Sequence, residues 1–435
     1  MKPKEFILII FSIIIFSNCR STPNPIELYN NGLQAYNKGY YNQAVYWWSK
    51  SADNGYAEAQ YSLADCYNFG KGVVQDFIKA AYWYRKAADQ NLSKGQADLA
   101  ECYYLGQGVD QNYTQAVYWS KKAVDQNSAK AQCILGICYY NGDGINKDYT
   151  QAVYWLKKAA DQNFSEAQRA LAECYYLGRG VNLDYEQTVY WVRKAANQNN
   201  AKAQAGLAEC YYLGRGVEQD YEQAVYWLRK AVDQNLAIAQ NGLGMCYYYG
   251  NGIKKNYEQA VYWFEKAADQ NLAEAQCRLA ECYYYGDGVE KNYNKTVYWY
   301  MKAADQNMAE AQYNLGICYR DGTGVVQDSF MAVFWFKKAA DQNFAAAEND
   351  LGACYILGRG TDQDHEQAVY LFRKAADQNY ADAQYNLGLC YYSGSGIVQD
   401  YAQAVFWFRK AADQGHEGAK NLLLQLEKKY SPGDI

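Results

Sequence analysis

Proline and histidine are scarce in this chain. Among 435 residues there are only four prolines, three of them in the first 25 positions, and two histidines. Because proline interrupts helices, its scarcity permits uninterrupted helical segments beyond residue 25. His365 and His416 form no His pair or Cys–His pair that could activate a nucleophile, and the glycine-rich loops lack the residues of a phosphate or calcium site. We therefore expect a non-enzymatic protein with no cofactor and no metal site.

Long apolar runs are also missing. Phe6–Phe16 is an apolar run of 11 residues, whereas a membrane-spanning helix needs about 20. Together with Lys2 and Lys4 it predicts a signal peptide over Met1–Asn18. The segment that ends in Cys19 resembles a bacterial lipobox, which implies lipidation of Cys19 and a membrane-anchored lipoprotein of the bacterial cell envelope. Ordinary secretion and an uncleaved anchor are the alternatives.

Neither acidic nor basic residues are clustered in the sequence. The net charge is −5, it would become −6 after removal of residues 1–18, and no arginine-rich segment is present. Nucleic acid and anionic lipid are therefore poor partners. We expect contact with the membrane through the lipid anchor only.

What the sequence has in abundance is repetition. A tryptophan ladder with a period of 36 residues is broken only at Leu371. A fixed period of this size indicates a solenoid of stacked helical units. A second ladder, with the same period, consists of Cys66, Cys102, Cys138, Cys174, Cys210, Cys246, Cys282, Cys318, Cys354 and Cys390.

One complete unit, residues 200–235, shows what each repeat folds into. Leu207 and Cys210 belong to an apolar stripe at helical spacing. Gly214-x-Gly216 then ends this helix, because two glycines permit a turn with positive φ. Asp220 is placed to cap a second helix, which carries Trp227 on its apolar face. Each unit is therefore predicted to be a pair of antiparallel helices of roughly a dozen residues.

The recurring residues are A-x-x-x-L-A/G-x-x-Y-x-x-G-x-G-V, followed by D-Y-x-x-A-V-x-W-x-x-K-A-A. This pattern resembles the Sel1-like repeat, a relative of the tetratricopeptide repeat, in ten copies over residues 56–415. The resemblance implies an all-α, right-handed superhelical α-solenoid. Around the repeats we predict a lipidated cysteine and tether over 19–25, a tetratricopeptide-like capping hairpin over 26–55, and a C-terminal capping helix and tail over 416–435.

The cysteine ladder has two interpretations. An extracytoplasmic compartment would permit disulfides. However, equivalent positions on stacked helices lie about 8–10 Å apart, beyond the roughly 7 Å Cα limit for a disulfide. We therefore favour small buried thiols between helices. Cys133 and Cys277, each five residues before a ladder cysteine, remain candidates for exposed free thiols.

Three positions of the first helix, equivalent to 205, 209 and 212, vary between repeats and lie on one stripe beside the apolar stripe. The corresponding positions of tetratricopeptide repeats face the concave groove, so the resemblance implies a partner-binding groove. Burial of this stripe against the next repeat is the alternative. The predicted groove residues are Tyr104, Tyr140, Glu173, Tyr176, Glu209, Tyr212, Met245, Tyr248, Glu281, Tyr284, Arg320 and Tyr392.

Tyrosines interleaved with carboxylates suit a polypeptide or a glycan. Sel1-like proteins act as adaptors, so the resemblance implies a scaffold for protein–protein interaction. A glycan-binding or cell-wall-binding module is the alternative. An enzyme that binds or hydrolyses β-lactams is the third reading, because cysteine-rich relatives have been credited with that activity. This chain lacks their paired cysteines and any nucleophile–base set.

Overall fold

The computed structural model describes residues 24–429, which contain 23 α-helices and no strands. The predicted signal peptide, Cys19 and residues 430–435 lie outside this range. The helices are α1 (Pro25–Asn37), α2 (Tyr41–Asp53), α3 (Ala57–Phe69), α4 (Phe77–Asp89), α5 (Ser93–Leu105), α6 (Tyr113–Val124), α7 (Ala129–Asn141), α8 (Tyr149–Asp161), α9 (Ser165–Leu177), α10 (Tyr185–Asn197), α11 (Ala201–Leu213), α12 (Tyr221–Val232), α13 (Ala237–Tyr249), α14 (Tyr257–Asp269), α15 (Ala273–Tyr285), α16 (Tyr293–Asp305), α17 (Ala309–Asp321), α18 (Ser329–Ala340), α19 (Ala345–Leu357), α20 (His365–Asp377), α21 (Ala381–Ser393), α22 (Tyr401–Asp413) and α23 (Glu417–Lys429).

The chain forms two compact units, with α1–α10 in the first and α11–α23 in the second; the boundary lies between Gln198 and Asn199. Within each unit every odd-numbered helix packs on the even-numbered helix that follows it, and each even-numbered helix packs on the next odd-numbered one. The predicted all-α repeat solenoid is confirmed, because each hairpin buries its apolar face against its neighbours.

The local turn signals act as predicted. Gly214 and Gly216 have φ angles of +68° and +70°, in the left-handed region that glycine adopts without strain. Asp220 then caps α12: its carboxylate accepts a hydrogen bond from the backbone N–H of Gln223. The distance is 2.9 Å, which satisfies one of the free donors of the first turn.

The core of each unit compensates large residues with small ones. Phe264 of α14 is 1% exposed, and it lies over Gly244 of α13, where an added Cβ would come within 2.6 Å of the ring. Phe336 and Gly316 form the same pair two repeats later, again with a hypothetical Cβ at 2.6 Å. Glycine at this position of the odd-numbered helices therefore leaves room for the phenylalanine ring that faces it, which keeps the packing dense.

The second loop glycine is required by a close approach between successive repeats. A Cβ added to Gly180 would lie 2.1 Å from the carbonyl oxygen of Tyr149, the first residue of α8 in the preceding repeat. Gly180 also has a φ of +74°. A side chain here would separate the loop from the neighbouring helix, so the G-x-G motif serves the stacking as well as the turn.

A buried amide network recurs between successive hairpins within each unit. Gln132 is 1% exposed, and its Nε2 donates to Oδ1 of Asn127 at 3.0 Å. Its Oε1 accepts from Nε2 of Gln162, at the end of the same hairpin, at 2.8 Å. Asn127 lies in the preceding turn with a φ of +59°, a conformation that asparagine tolerates. Equivalent networks surround Gln96, Gln168, Gln204, Gln240, Gln276, Gln312 and Gln384.

Glu348 replaces the buried glutamine in α19. Its side chain is 0% exposed, Oε2 accepts from Nε2 of Gln378 at 2.7 Å, and Oε1 lies 2.8 Å from Nζ of Lys374. The Lys374 ammonium is therefore the counter-charge of a carboxylate that has no access to water. Removal of one partner of such a pair leaves an uncompensated buried charge.

We predict that Lys374→Met lowers the free energy of unfolding by about 3–5 kcal/mol. Glu348→Gln should be close to neutral, because it restores the amide found in the other repeats, and it should rescue Lys374→Met. Urea unfolding followed by circular dichroism measures all three variants. Lys338→Met is the matched control, since no carboxylate pairs with Lys338 in residues 24–429. If Lys374→Met lowered the free energy of unfolding equally with and without Glu348→Gln, Lys374 would not be the counter-charge of Glu348.

Both ends of the described chain are helical. α1 begins at Pro25, inside the predicted tether, and Asn24 caps it by accepting from the N–H of Ile26 at 3.0 Å. α23 packs on α22 and buries Ala419 and Leu426. No helix in residues 24–429 has both the length and the apolar composition needed to cross a membrane.

Candidate functional site

The predicted groove residues all lie on odd-numbered helices. In the first unit α7 contacts both α5 and α9, so Tyr104, Tyr140 and Tyr176 occupy equivalent places on successive odd-numbered helices. We refer to the positions equivalent to 205, 209 and 212 as the odd-helix stripe. Its members differ in exposure and in the contacts that they make.

The tyrosines of the stripe are half-buried because they join successive repeats. In the first unit the Tyr104 hydroxyl donates to Oδ2 of Asp143 at 3.2 Å. The Tyr140 hydroxyl accepts from Nη1 of Arg179 at 2.7 Å. Asp143 and Arg179 each lie between the two glycines of the following repeat's loop. Burial, and then the Asp143 carboxylate, raise the pKa of Tyr104 to about 12.

The second unit repeats this arrangement with different loop partners. The Tyr212 hydroxyl accepts from Nδ2 of Asn251 at 2.8 Å, and the Tyr248 hydroxyl donates to Oδ2 of Asp287 at 2.6 Å. Burial, followed by the hydrogen bond to Asp287, raises the pKa of Tyr248. These hydroxyls therefore contribute to stacking, which the repeat spacing in the sequence did not reveal.

The rings of the stripe tyrosines also pack on the first residue of the next helix. Edge-to-face and tilted contacts of this kind stabilise aromatic pairs. Part of the stripe is therefore buried inside its own hairpin and against the next repeat, as the alternative interpretation expected. Ring centroids are 5.0–5.6 Å apart in the pairs Tyr104–Tyr113, Tyr140–Tyr149, Tyr176–Tyr185, Tyr212–Tyr221, Tyr248–Tyr257, Tyr284–Tyr293 and Tyr392–Tyr401.

Two charged members of the stripe are exposed and paired. Glu173 accepts from Nη1 of Arg169, one turn earlier on α9, at 3.3 Å. Arg320 donates to Asp321 at 2.8 Å and to Asp350 of the following repeat at 3.0 Å. Surface ion pairs of this kind contribute little stability, so these side chains can exchange their partners for those of a bound protein.

Glu281 lies in a partly buried cluster with Cys277, Arg278 and Glu310. The Cys277 sulfur and one oxygen of each carboxylate lie within 4.8 Å of one another. Arg278 nevertheless donates to Glu281 at 2.7 Å and pairs with Glu310 at 3.3 Å. Burial raises the pKa of Glu281, although Arg278 opposes that shift. The guanidinium therefore already supplies the cation that this cluster of carboxylates needs.

The remaining two groove residues differ from each other. Met245 is half-buried and packs against the core that contains Leu279. Glu209 is exposed on α11. Of these two residues, only Glu209 has the accessibility expected of a residue that contacts a partner.

An exposed apolar row beside the stripe was missed by the sequence reasoning. It occupies the last position of the odd-numbered helices, where large apolar side chains are 43–64% exposed. This position directly follows the stripe tyrosine and precedes the first loop glycine, and the periodicity of the core assigned no role to it. We refer to these residues as the apolar row: Phe69, Leu105, Leu177, Leu213, Tyr249, Tyr285 and Leu357.

In the first unit a cleft of about 310 Å³ adjoins the apolar row at Phe69. Leu33 and Tyr36 from α1 line it together with Asp65 and Lys71. Lys71 donates to the Tyr36 hydroxyl at 2.9 Å. The cleft combines apolar walls with one charge of each sign, which suits a side chain of a protein partner.

The only Ser–His contact in the described chain lies in the second unit. His365 takes the place of the tyrosine at the start of α20, and its Nδ1 contacts the hydroxyl of Ser395 in the next loop. Ile356 replaces the stripe tyrosine of that repeat, so this contact substitutes for the usual tyrosine–loop bond. No carboxylate of residues 24–429 forms an ion pair with His365, and the pair lacks the third group that orients a catalytic histidine.

The cysteines are buried thiols, as favoured from their spacing. The twelve cysteines of the described residues are free, and all but the half-buried Cys354 are buried. The alternative of exposed thiols at Cys133 and Cys277 is excluded, since these side chains are 3% and 0% exposed. Both face the neighbouring repeat instead of solvent. Burial raises the pKa of Cys133 to about 12.

We predict that thiol labelling of the folded protein with iodoacetamide at pH 8 is at least about 100-fold slower at Cys133 than in urea, because the reactive thiolate is suppressed. Mass spectrometry of tryptic peptides gives the rate at each cysteine. Cys354, the half-buried ladder cysteine, is the internal comparison. Rapid stoichiometric labelling of Cys133 in the folded state would contradict its burial.

Comparison with known proteins agrees with this geometry. The family model described as Sel1 repeat matches eleven consecutive segments: 27–56, 57–92, 93–128, 129–164, 165–200, 201–236, 237–272, 273–308, 309–344, 345–380 and 381–416. The first match covers the hairpin predicted as a capping unit. The chain matches no curated protein sequence.

Two solved structures are similar over most of the chain. One is c5321, a protective antigen present in uropathogenic Escherichia coli strains that displays an SLR fold. It is 34% identical with a TM-score of 0.71, and the match covers 94% of this chain and 89% of that one. The other is a Sel1 repeat protein from Oxalobacter formigenes, 31% identical with a TM-score of 0.53, with 71% of this chain and 89% of that one covered.

Proposed function

Since this chain belongs to the Sel1 repeat family, whose members are generally protein-interaction scaffolds, we propose that it is a non-enzymatic scaffold of the bacterial cell envelope. In this proposal protein partners bind along the odd-helix stripe and the apolar row beside it. The observation that carries the proposal is the exposure of the apolar row.

Exposed apolar side chains are individually unremarkable on a protein surface, but a contiguous set marks an interaction site. In the second unit Leu213, Tyr249 and Tyr285 end three successive odd-numbered helices and are 43%, 54% and 63% exposed. Glu209 lies one turn before Leu213 on α11. An apolar centre with a polar border is the usual anatomy of a protein–protein interface.

We predict that the triple variant Leu213→Ser, Tyr249→Ser and Tyr285→Ser loses its protein partner in a pull-down from envelope extract. Serine is chosen because Ser393 occupies the equivalent position in α21, so the fold accommodates it. The full-length chain serves as bait, and quantitative mass spectrometry identifies the retained proteins. We expect at least a tenfold loss of the specific partner.

The matched control carries Val326→Ser and Phe330→Ser, which remove exposed apolar side chains at a different place in the second unit; they are 87% and 75% exposed. The control should retain the partner. If the triple variant and the control retain the same proteins as the unmodified chain, the apolar row is not the binding surface.

The envelope location rests on the Phe6–Phe16 apolar run and the lipobox-like segment at Cys19. A lipidated N-terminus would hold the scaffold at a membrane surface without a spanning helix. We predict that Cys19→Ser shifts the full-length chain from the membrane fraction to the soluble fraction, as measured by immunoblot after ultracentrifugation. Ser17→Ala is the control that leaves the cysteine in place. Equal membrane retention of both variants would contradict lipidation of Cys19.

A further inference from the structure

The even-numbered helices carry a second exposed pattern, which neither the core nor the odd-helix stripe uses. Every one from α2 to α22 has an exposed aromatic residue at the position equivalent to Tyr226 and a lysine four residues later. We refer to each such pair as an aromatic–lysine pair. The aromatic residues are Tyr46, Tyr82, Tyr118, Tyr154, Tyr190, Tyr226, Tyr262, Tyr298, Phe334, Tyr370 and Phe406.

The ring, and not the hydroxyl, is the constant feature of these pairs. Phe334 and Phe406 lack the hydroxyl, yet they are 46% and 47% exposed, like the tyrosines. A helix surface needs no exposed aromatic side chain for its own stability, and many residue types would serve at such a position. Retention of a half-exposed ring in every repeat therefore points to a role outside the core.

In ten of the pairs the lysine Nζ lies 4.4–5.7 Å from the ring centroid, as in Tyr226–Lys230 at 4.9 Å. The adjacent tryptophan contacts the ring edge to face, at 5.2 Å between the centroids of Tyr226 and Trp227. The tryptophan fixes the ring, whereas the lysine is a flexible cation held by a weak cation–π contact.

These ten lysines have no carboxylate partner within 4.0 Å in residues 24–429. The exception is the eleventh pair, in which Lys374 is bound to buried Glu348. The chain has an excess of acidic residues and a net charge of −5, so counter-ions for surface lysines are abundant elsewhere. The fold nevertheless places ten of the eleven ammonium groups at equivalent positions of the even-numbered helices without a carboxylate partner in that range.

From this arrangement we propose that the aromatic–lysine pairs bind a linear acidic polysaccharide. The apolar face of a sugar ring stacks on an aromatic ring, and a uronate carboxylate pairs with the neighbouring ammonium once the lysine moves off the ring. The pairs recur once per repeat, with five in residues 24–198 and six in residues 199–429. A row of equivalent weak sites matches a polymer of equivalent units, and binding at several sites raises the overall affinity.

A cleft adjoins this surface at the aromatic–lysine pair of α12. It measures about 340 Å³, and Tyr226, Arg229 and Lys230 of α12 line it together with two carboxylates, Glu222 and Asp233. Tyr226 offers a ring face for a sugar, and Arg229 and Lys230 offer cations for a uronate. Glu222 and Asp233 are acceptors for sugar hydroxyl groups.

This surface on the even-numbered helices differs from the protein-binding surface proposed for the odd-numbered helices. The two proposals can therefore be tested independently. The lack of a basic segment in the sequence predicted that nucleic acid and anionic lipid are poor partners. In the structure, by contrast, stacking of the repeats within each unit places single lysines from successive even-numbered helices on one surface.

The test measures binding of the full-length chain to polygalacturonate, a linear polymer of a uronic acid, by isothermal titration calorimetry at low salt. The unmodified chain should bind, with an affinity that falls as salt is raised. Tyr226→Leu, Tyr262→Leu and Tyr298→Leu combined should raise the Kd at least tenfold. Lys230→Gln, Lys266→Gln and Lys302→Gln combined should do the same. Circular dichroism checks that both variants keep their helices.

The control carries Tyr40→Leu and Ile238→Ala, which are 58% and 62% exposed and have no lysine one turn later, and it should bind like the unmodified chain. Dextran, a neutral polymer, should not bind. The proposal is overturned if the unmodified chain does not bind polygalacturonate, or if either folded triple variant binds it normally. Equal affinity for single-stranded DNA with no effect of the tyrosine substitutions would show charge recognition alone and would overturn it as well.

Discussion

Contact between one hairpin and the next is the constraint on which the rest of this structure depends. A helical pair of this length cannot bury its apolar face alone. Three devices recur at the junctions within each unit: the loop glycine against the preceding helix, the buried glutamine bonded to the left-handed asparagine of the turn, and the tyrosine hydroxyl bonded to the loop. Each is a polar or backbone contact with strict geometry, so together they set the register that apolar packing alone leaves loose.

This constraint explains why the tyrosines have a divided role. Tyr212 and Tyr248 lie on the stripe expected to bind partners, but their hydroxyls hold the following loops. Substituting them would disturb stacking as well as recognition. The apolar row is separable from stacking, because its side chains are exposed and Ser393 shows that a small polar residue is accepted there.

The odd-numbered and the even-numbered helices expose side chains of different chemical character. The odd-numbered helices present carboxylates and the apolar row, which favour a protein. The even-numbered helices present aromatic rings and unpaired lysines, which favour an acidic glycan. A solenoid can carry both because each repeat exposes both of its helices, whereas a compact domain of the same length would bury most of one layer.

The sequence by itself determined the repeat length, the helical hairpin, the turn glycines and the capping aspartate, because these depend on local periodicity and local backbone preference. It also placed the ladder cysteines in the core. It did not reveal the amide network, whose members Asn127, Gln132 and Gln162 come from one helix and the two turns on either side of its hairpin. Nor could it show that Cys133 and Cys277 are buried. Only the stacking of repeats decided which polar side chains form hydrogen bonds between repeats. It also decided which lysines have no counter-ion and which apolar side chains remain exposed. These properties depend on contacts between residues about 30 to 40 positions apart, which local sequence patterns do not specify.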